Sequence, residues 1–509
     1  MSDRNRREFL VEVGQGMLAA LVGPALAADM GLASRAGAAE AAPKVNHEGL
    51  ERLVALLQET PVNNLMPTLV GQLGKGVTLH ELVAAGALCN ARVFGGHNYD
   101  GYHTFMAMAP SFKMSQELPE KERALPILKV LHRNSRTMGS GPGKHPNLLG
   151  HVEPAELKGD QPVGKLLLEA ARAHRVADGD KLFLAAAKTS LQDGYNELLP
   201  LIHDDLNVHR VVLAWRSWET IDFTGQDHAR TLLRQSVHFC CEGNDRSSRG
   251  ISIILPKLMD KFKLMDKPIG KKDADDVWVE RLSETIYSAN REVAAEAVAA
   301  ALGEGFSPEV VGEAMSLACA RLVLGDPGRE KNDNPVKPMG SVHGDSVGVH
   351  ASDSANAWRH IARVSNARNT YASLIAGAYH TAGQTGRQNK ELYPQAADLE
   401  LVREKDPAAL LKLADEAIRA KDQRRICAVV QRYGHEKGDA KALFALLLQF
   451  AVSEDGALHA EKYYRTVNEE FASVRPAFRW RHLISLARVT ASEFGRPAPG
   501  VEEARKLLA

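Results

Sequence analysis

Hydrophobic positions recur every three to four residues along almost the whole chain from residue 47 onward. Leu50, Leu53, Leu56 and Leu57 form one such stripe. This spacing is typical of amphipathic α-helices, because residues three and four apart share one helix face. The best strand candidate, at 251–255, is short and isolated. The pattern therefore predicts an all-α protein.

An internal repeat organises these helices around a motif in which an acidic residue stands between two histidines. The motif occurs three times, and a fourth copy lacks the first histidine: 97–103, 203–209, 343–350 and 455–459. An apolar helix is predicted before each copy: 79–93, 181–199, 308–324 and 440–452. Stacked units of this kind bury a common core. The sequence thus predicts about four pseudo-repeats of helical hairpins, packed into one multi-helix domain or a short solenoid: 47–137, 160–241, 278–383 and 406–495, followed by a tail at 496–509.

Two of the leading helices share a start signal. Gly76 precedes Thr78, and Gly305 precedes Ser307. Glycine commonly ends a helix in the left-handed conformation, and Thr or Ser commonly caps the next one. We therefore expect Thr78 and Ser307 to be N-caps.

A further histidine follows each of the first three motifs at a nearly constant separation in sequence. The separations are 29 residues from His103 to His132, 29 from His209 to His238, and 30 from His350 to His380. Two helices of about twelve residues form an antiparallel hairpin about 18 Å long, so its two ends lie side by side. This spacing predicts that the histidines of each unit converge at one end of the hairpin.

Clustered neutral imidazoles with nearby carboxylates suit Zn, Cu or non-haem Fe, and haem is left open. The candidate metal ligands are the histidines of the motif and its return: His97, His103, His132, His203, His209, His238, His343, His350, His380 and His459. Either each unit carries its own site, or the helix-start histidines His103, His209, His350 and His459 share one pocket. A structural alternative stands beside both, since inherited repeats also preserve capping and packing histidines.

The N-terminus and the charge balance narrow the function. Arg6-Arg7 followed by Phe9-Leu10, a short apolar stretch and Ala36-Gly37-Ala38 predict a twin-arginine signal peptide over 1–38, with periplasmic or exported localisation and the twin-arginine export machinery as a partner. Lys plus Arg and Asp plus Glu each total 63, which disfavours nucleic-acid binding. The apolar stretch is too short for a stable membrane span, so we expect none in the mature protein.

The segments Glu197–His209 and Val349–Trp358 resemble the histidine motifs of the questin oxidase-like family of helical proteins. That resemblance adds His103 and His459, covers most of the mature chain, and implies an all-helical oxidoreductase with Baeyer-Villiger ring-opening oxygenation. The chain is also similar to exported bacterial proteins of no assigned function. The twin-arginine start departs from an intracellular enzyme, and no Gly-x-Gly-x-x-Gly follows a strand, so nicotinamide is disfavoured.

Two functional hypotheses remain open from the sequence. The first is an exported metal-dependent oxidoreductase acting on a small organic substrate, with the loops at 325–342 and 384–405 gating its pocket. The second is a non-catalytic helical-repeat scaffold or metal carrier in the cell envelope. Metal content separates the oxidoreductase from the scaffold, and turnover separates it from the carrier.

Overall fold

A computed structural model describes nine segments of the chain: 47–138, 149–157, 162–242, 250–288, 290–331, 338–342, 346–385, 388–389 and 391–509. Within these segments the regular structure is helical and contains no β-strand, which confirms the all-α prediction. None of these helices has the length and apolar character needed to cross a membrane. The twin-arginine segment lies outside the described residues. The chain from Asn46 to Ala509 forms one compact unit.

The helices are numbered in chain order. The first half contains α1 (Glu51–Glu59), α2 (Val62–Gly74), α3 (Leu79–Phe94), α4 (Tyr99–Glu117), α5 (Leu125–Met138), α6 (Val163–Arg172), α7 (Val176–Ala186), α8 (Leu191–Asp204), α9 (Val208–Glu219), α10 (Ile221–Thr224), α11 (Ala229–Glu242) and α12 (Gly250–Lys261). The second half contains α13 (Asp276–Ser288), α14 (Arg291–Gly303), α15 (Pro308–Gly325), α16 (Val347–Val364), α17 (Ala367–Ala382), α18 (Ala396–Leu401), α19 (Pro407–Arg419), α20 (Gln423–His435), α21 (Ala440–Ser453), α22 (His459–Ser473), α23 (Arg479–Glu493) and α24 (Val501–Leu508).

Each of the four units contributes a leading, a middle and a returning helix. The triplets are α3-α4-α5, α8-α9-α11, α15-α16-α17 and α21-α22-α23. The four middle helices α4, α9, α16 and α22 pack in a cycle, each against the next, and α22 packs back against α4. We call this arrangement the central helix ring. The fourth unit therefore closes the molecule onto the first instead of extending an open stack.

Capping residues fix where several of these helices begin. The Thr78 side chain accepts the backbone N–H of Glu81, and the Glu81 carboxylate accepts the Thr78 N–H, which forms a reciprocal capping box. The Ser307 side chain caps α15 by accepting the Val310 N–H, without a reciprocal bond. Both predicted caps are confirmed.

The predicted leading helix at 181–199 is wrong. The chain breaks there into α7, which ends at Ala186, and α8, which begins at Leu191. Ser190 accepts the N–H of Asp193 and so starts a new helix where the apolar periodicity alone continues through.

A buried lysine joins the first unit to the fourth. Lys129 on α5 donates to the carbonyls of Ala451 and Glu454 at 2.8 and 2.7 Å, and its ammonium lies 2.6 Å from the buried carboxylate of Glu461. The lysine thereby pairs with carbonyl oxygens at the end of α21, which lack intrahelical donors. This contact stabilises the packing of the fourth unit against the first.

We expect Gly348→Ala to destabilise the fold by about 1–3 kcal/mol, because overpacking forces backbone shifts. A Cβ at Gly348 on α16 would lie 2.5 Å from the backbone N of Val323 on α15. Gly71→Ala is the matched control, since no atom lies within 4 Å of the added Cβ in an exposed turn of α2. It should leave stability unchanged or raise it by up to about 1 kcal/mol. Urea unfolding measures both, and equal midpoints would contradict the assigned helix contact.

Candidate functional site

Four histidines meet at the N-terminal ends of the four middle helices. The distances between ring centres are 4.7 Å for His103 to His209, 5.7 Å for His209 to His350, 5.1 Å for His350 to His459, and 5.2 Å for His459 back to His103. These contacts follow the same cycle as the helices that carry them. We call this group the histidine ring. Of the two arrangements left open by the sequence, the structure shows the helix-start histidines together.

Each histidine lies within the first five residues of its helix, and a capping side chain starts three of these four helices. Asn98 caps α4 through Gly101 N–H, Asn207 caps α9 through His209 N–H, and Ser346 caps α16 through Val349 N–H. The acidic residues of the motif do not take this role. Asp100 and Asp205 instead face Arg133 and Arg210, because the neighbouring Asn side chains are the ones placed to reach the free N–H groups.

Backbone carbonyls set the tautomers of two of these rings. The Nδ1 of His103 lies 2.7 Å from the carbonyl oxygen of Tyr99, and the Nδ1 of His350 lies 3.1 Å from that of Ser346. Since a carbonyl oxygen only accepts, each Nδ1 carries the proton. In the neutral rings Nε2 therefore keeps its lone pair, which is the arrangement found in metal-ligating histidines.

Three ring nitrogens of this group are buried and have no hydrogen-bond partner within the described segments: His103 Nε2, His209 Nε2 and His459 Nδ1. His103 and His459 are each only 2% exposed. A buried polar atom left unpaired costs about 1–3 kcal/mol, so such atoms normally face water, an ion or a ligand. Three such nitrogens in one place indicate a binding site, either for a metal ion, which accepts nitrogen lone pairs, or for a ligand that donates hydrogen bonds.

The surroundings keep these imidazoles neutral. Burial, with Lys462 as the next cause, holds the pKa of His103 and His459 well below the ordinary histidine value. Burial, followed by the charges of His350 and Lys462, lowers the pKa of His209 to about 2. The positive ends of the helix dipoles add to the effect, because they disfavour a cation at a helix N-terminus. Neutral imidazole is the form that binds metal ions.

One nitrogen pair of the histidine ring is joined by a hydrogen bond. His350 Nε2 and His459 Nε2 lie 3.2 Å apart, and because the proton of His350 is on Nδ1, His459 Nε2 donates and His350 Nε2 accepts. As the side chains stand, however, no three or more His, Cys, Asp or Glu side chains within the described segments are arranged to hold one metal ion. Metal binding would therefore require some of the imidazoles to rotate.

A cavity of about 310 Å³ reaches this group from outside. Its wall includes His209 of the histidine ring, the aromatic side chains Tyr99, Tyr102 and Phe239, and the charged Arg210. The remaining wall residues are Gly96, His97, Asn98, Asn207 and Glu242. The volume is that of a small organic ligand. All these residues belong to the first two units, so the prediction that the loops at 325–342 and 384–405 border the pocket is wrong for the parts of those loops that the structure describes.

The other predicted ligands lie elsewhere. His97 and His238 contact each other across two units, with His238 Nδ1 3.3 Å from His97 Nε2. His203 is buried, lies 3.0 Å from the hydroxyl of Ser373, and stacks on Trp358. His343 lies outside the described residues.

The convergence predicted within each hairpin is not seen in the first unit. His132 is half-buried beside Gly500 of the tail, not against the histidine ring. His380 is buried on α17, and its Nδ1 has no hydrogen-bond partner. Both histidines lie inside their helices, which extend to Met138 and Ala382. The number of residues between the histidines determines neither how far along its helix a returning histidine lies nor which face of the helix it occupies.

Several residues of the site escaped the sequence reasoning. Asp180 accepts from His238 Nε2 at 2.7 Å, and Lys462 lies buried one turn beyond His459 on α22. No sequence pattern indicated Asp180, because it lies on α7, which contains no copy of the repeated histidine motif. Glu242 could have been found, since it stands four residues after His238 and shares its helix face.

We expect His203 to make the fold less stable in mild acid. Burial lowers the pKa of His203 to about 3, below the value of about 6.5 in the unfolded chain. The unfolded state therefore takes up a proton that the folded state does not, and stability falls as the pH drops from about 6.5 toward 3. His203→Gln keeps a donor for Ser373. It should reduce the slope of the unfolding free energy against pH by up to the amount that corresponds to one bound proton. Urea unfolding over this pH range measures the slope, and an unchanged slope would contradict the prediction.

Comparison of the chain with models of protein families, with curated proteins and with solved structures gives no match.

Proposed function

We propose that this protein is an exported metal-dependent oxidoreductase, whose metal ion is bound by His103, His209, His350 and His459. The observation that carries the proposal is the convergence of four imidazoles in a buried space. Three of them have a pKa lowered by burial, and three ring nitrogens have no hydrogen-bond partner among the described residues. An all-nitrogen donor set suits copper, iron or zinc, and the oxidoreductase role requires copper or iron. Such an ion would supply one-electron redox chemistry at the inner end of the cavity.

The residues present fit this group in donor type and protonation. The backbone bonds to His103 and His350 orient their rings and leave Nε2 to ligate. His209 contributes to both the histidine ring and the cavity wall, so it is the ligand nearest to an entering substrate. Tyr99, Tyr102 and Phe239 provide the apolar wall against which a small organic substrate would pack.

Export by the twin-arginine pathway agrees with this proposal, because that pathway carries folded proteins. A four-histidine site assembled from four units exists only in the folded chain. The ion would then be bound before export. The questin oxidase-like resemblance proposes oxygenation as the reaction class.

Metal analysis of the mature protein, purified after folding in the cytoplasm, tests the proposal. We expect about one equivalent of copper or iron per chain, and a fall in the thermal midpoint on chelation, because a ligand that binds only the folded state stabilises it. Redox activity is then measured with the metal-loaded protein. Protein that retains no transition metal, and whose thermal midpoint is unchanged by added metal, would overturn the proposal.

A non-catalytic helical scaffold is the second candidate. It is favoured by the absence of any three His, Cys, Asp or Glu donors arranged for a metal ion in the parts of the chain that the structure describes. In that case the four histidines pack as aromatic side chains against one another, and ordered water satisfies their nitrogens. The scaffold predicts that metal ions leave the thermal midpoint unchanged.

A further inference from the structure

A second cluster of titratable side chains lies at the cavity, beside the histidine ring. Asp180, His238, His97 and Glu242 form a continuous chain of contacts: His238 Nε2 is 2.7 Å from Asp180 Oδ2, His238 Nδ1 is 3.3 Å from His97 Nε2, and His97 Nδ1 is paired with Glu242 Oε2. His97 and Glu242 line the cavity, whereas Asp180 and His238 are buried. We call this chain the histidine relay.

Counting protons shows that the relay holds one more than its two neutral imidazoles supply. Each of the three contacts joins two lone-pair atoms, so each needs one proton between them. Two neutral imidazoles carry two protons in total. The third proton therefore lies either on one of the two rings, which becomes an imidazolium, or on one of the two flanking carboxylates.

The buried end of the relay is fixed as an anion. Arg234 donates to the same Oδ2 of Asp180 at 2.6 Å. Burial works to raise the pKa of Asp180, but the bonds from His238 and Arg234 lower it overall. The thiol of Cys241 nearby stays neutral, since burial raises its pKa to about 12. The extra proton is therefore shared between His238, His97 and Glu242.

The open end of the relay faces the cavity. The Glu242 side chain is 39% exposed and the His97 side chain 20%. Arg210, which is buried and lines the same cavity, has an unpartnered Nε. An anionic oxygen of a ligand that takes the place of Glu242 would meet the Nδ1–H of His97, with the Arg210 guanidinium in the same wall.

We propose that the histidine relay stores one proton at the cavity and that His97 presents it, through Nδ1–H, to the anionic oxygen of a bound ligand. His238 and Asp180 are positioning residues that hold His97 protonated, in the way a carboxylate supports an imidazolium in hydrolase triads. The transfer breaks the Nδ1–H bond of His97 and forms an O–H bond on the ligand, and the relay then regains a proton from solvent. The reaction that uses this proton rests on the proposed function, whereas the stored proton itself does not.

Nitrogen-15 NMR of protein labelled at histidine tests the stored proton, because it distinguishes protonated ring nitrogens from those with a lone pair. At neutral pH we expect one imidazolium shared by His97 and His238, identified by comparison with His97→Gln and His238→Gln. Glu242→Gln should abolish it, since the amide N–H donates to His97 Nδ1 without an added proton. Glu153→Gln is the matched control, because Glu153 forms a similar carboxylate-histidine pair at 2.8 Å with the exposed His151. Two neutral rings in the wild type, or an imidazolium that survives Glu242→Gln, would overturn the proposal.

Formate serves as the probe for the ligand oxygen. In Glu242→Ala we expect formate to restore the imidazolium signal, and to fail to do so when His97→Gln is added. Absence of restoration would overturn the role of His97 as the group that faces a bound anion. The same spectra are expected with and without chelator, and His97→Gln should leave the metal content unchanged. If the protein binds no metal, the NMR result still stands. If His97→Gln loses metal, His97 is a metal ligand, and the relay proposal is overturned.

Discussion

Replacing His103 and His459 together with glutamine is expected to abolish metal binding by the mature protein. Loss of a residue that only orients a metal ligand costs about 10- to 100-fold in affinity, so removal of two ligands should lower the affinity by well over about 100-fold. These two histidines are the most buried of the four and contact each other across the first and fourth units. Metal content per chain, measured after dialysis against a weak chelator, gives the result.

Two other candidate histidines serve as controls for that experiment. His132→Gln and His203→Gln change side chains that the sequence also predicted as ligands, but that lie beside Gly500 and Ser373. Both variants should keep the metal content of the wild type, with helicity checked by circular dichroism. Equal metal content in all variants would contradict ligation by the histidine ring, and loss in the controls would enlarge the site beyond it.

Removing the carboxylate of Glu470 is expected to cost about 3–5 kcal/mol of folding free energy, because it leaves a buried charge without its partner. Glu470 on α22 is paired with Arg359 on α16, and it also accepts from Ser316 at 2.6 Å and Asn356 at 3.0 Å. Arg359 is 4% exposed. In Glu470→Ala its guanidinium keeps the more distant, exposed Glu309, with Arg359 Nη2 3.7 Å from Glu309 Oε2. Urea unfolding monitored by circular dichroism measures the loss.

The double variant Arg359→Met with Glu470→Met provides the matched comparison. Replacing a whole buried ion pair with apolar side chains is often neutral or stabilising, so this variant should recover most of the loss. Glu309→Ala should cost less than about 1 kcal/mol, since its carboxylate is exposed. If Glu470→Ala were as stable as Glu309→Ala, the buried pair would contribute nothing to the packing of α16 on α22.

The helical fold and much of its local detail followed from the sequence. Periodicity predicted an all-α chain, and the glycine-then-hydroxyl pattern predicted the caps at Thr78 and Ser307. The break before Leu191 did not follow, because the apolar stripe continues across it while Ser190 begins a new helix. Periodicity reports which face of a helix is buried, but not whether the backbone stays continuous.

The site followed from the sequence only in part. The repeated motif grouped His103, His209, His350 and His459 as equivalent positions, and equivalent positions of a cyclic repeat meet at its axis. His132 did not join them, because a separation of 29 residues leaves the facing direction undetermined. The contact of His97 with His238 joins different units, and no spacing within one unit predicts it.

Closure of the central helix ring has a consequence for how the chain acquires its site. Lys129 bonds to carbonyls more than 320 positions further along the chain, so the contact that seals the ring has a very large sequence separation. Such contacts form late, because the loop entropy must be overcome before they contribute. A ribosome-bound chain that has reached only the third unit therefore has three of the four histidines and a central helix ring that is still open. Loss of the last unit should open the central helix ring and remove His459 from between His103 and His350, unlike trimming one end of an open solenoid.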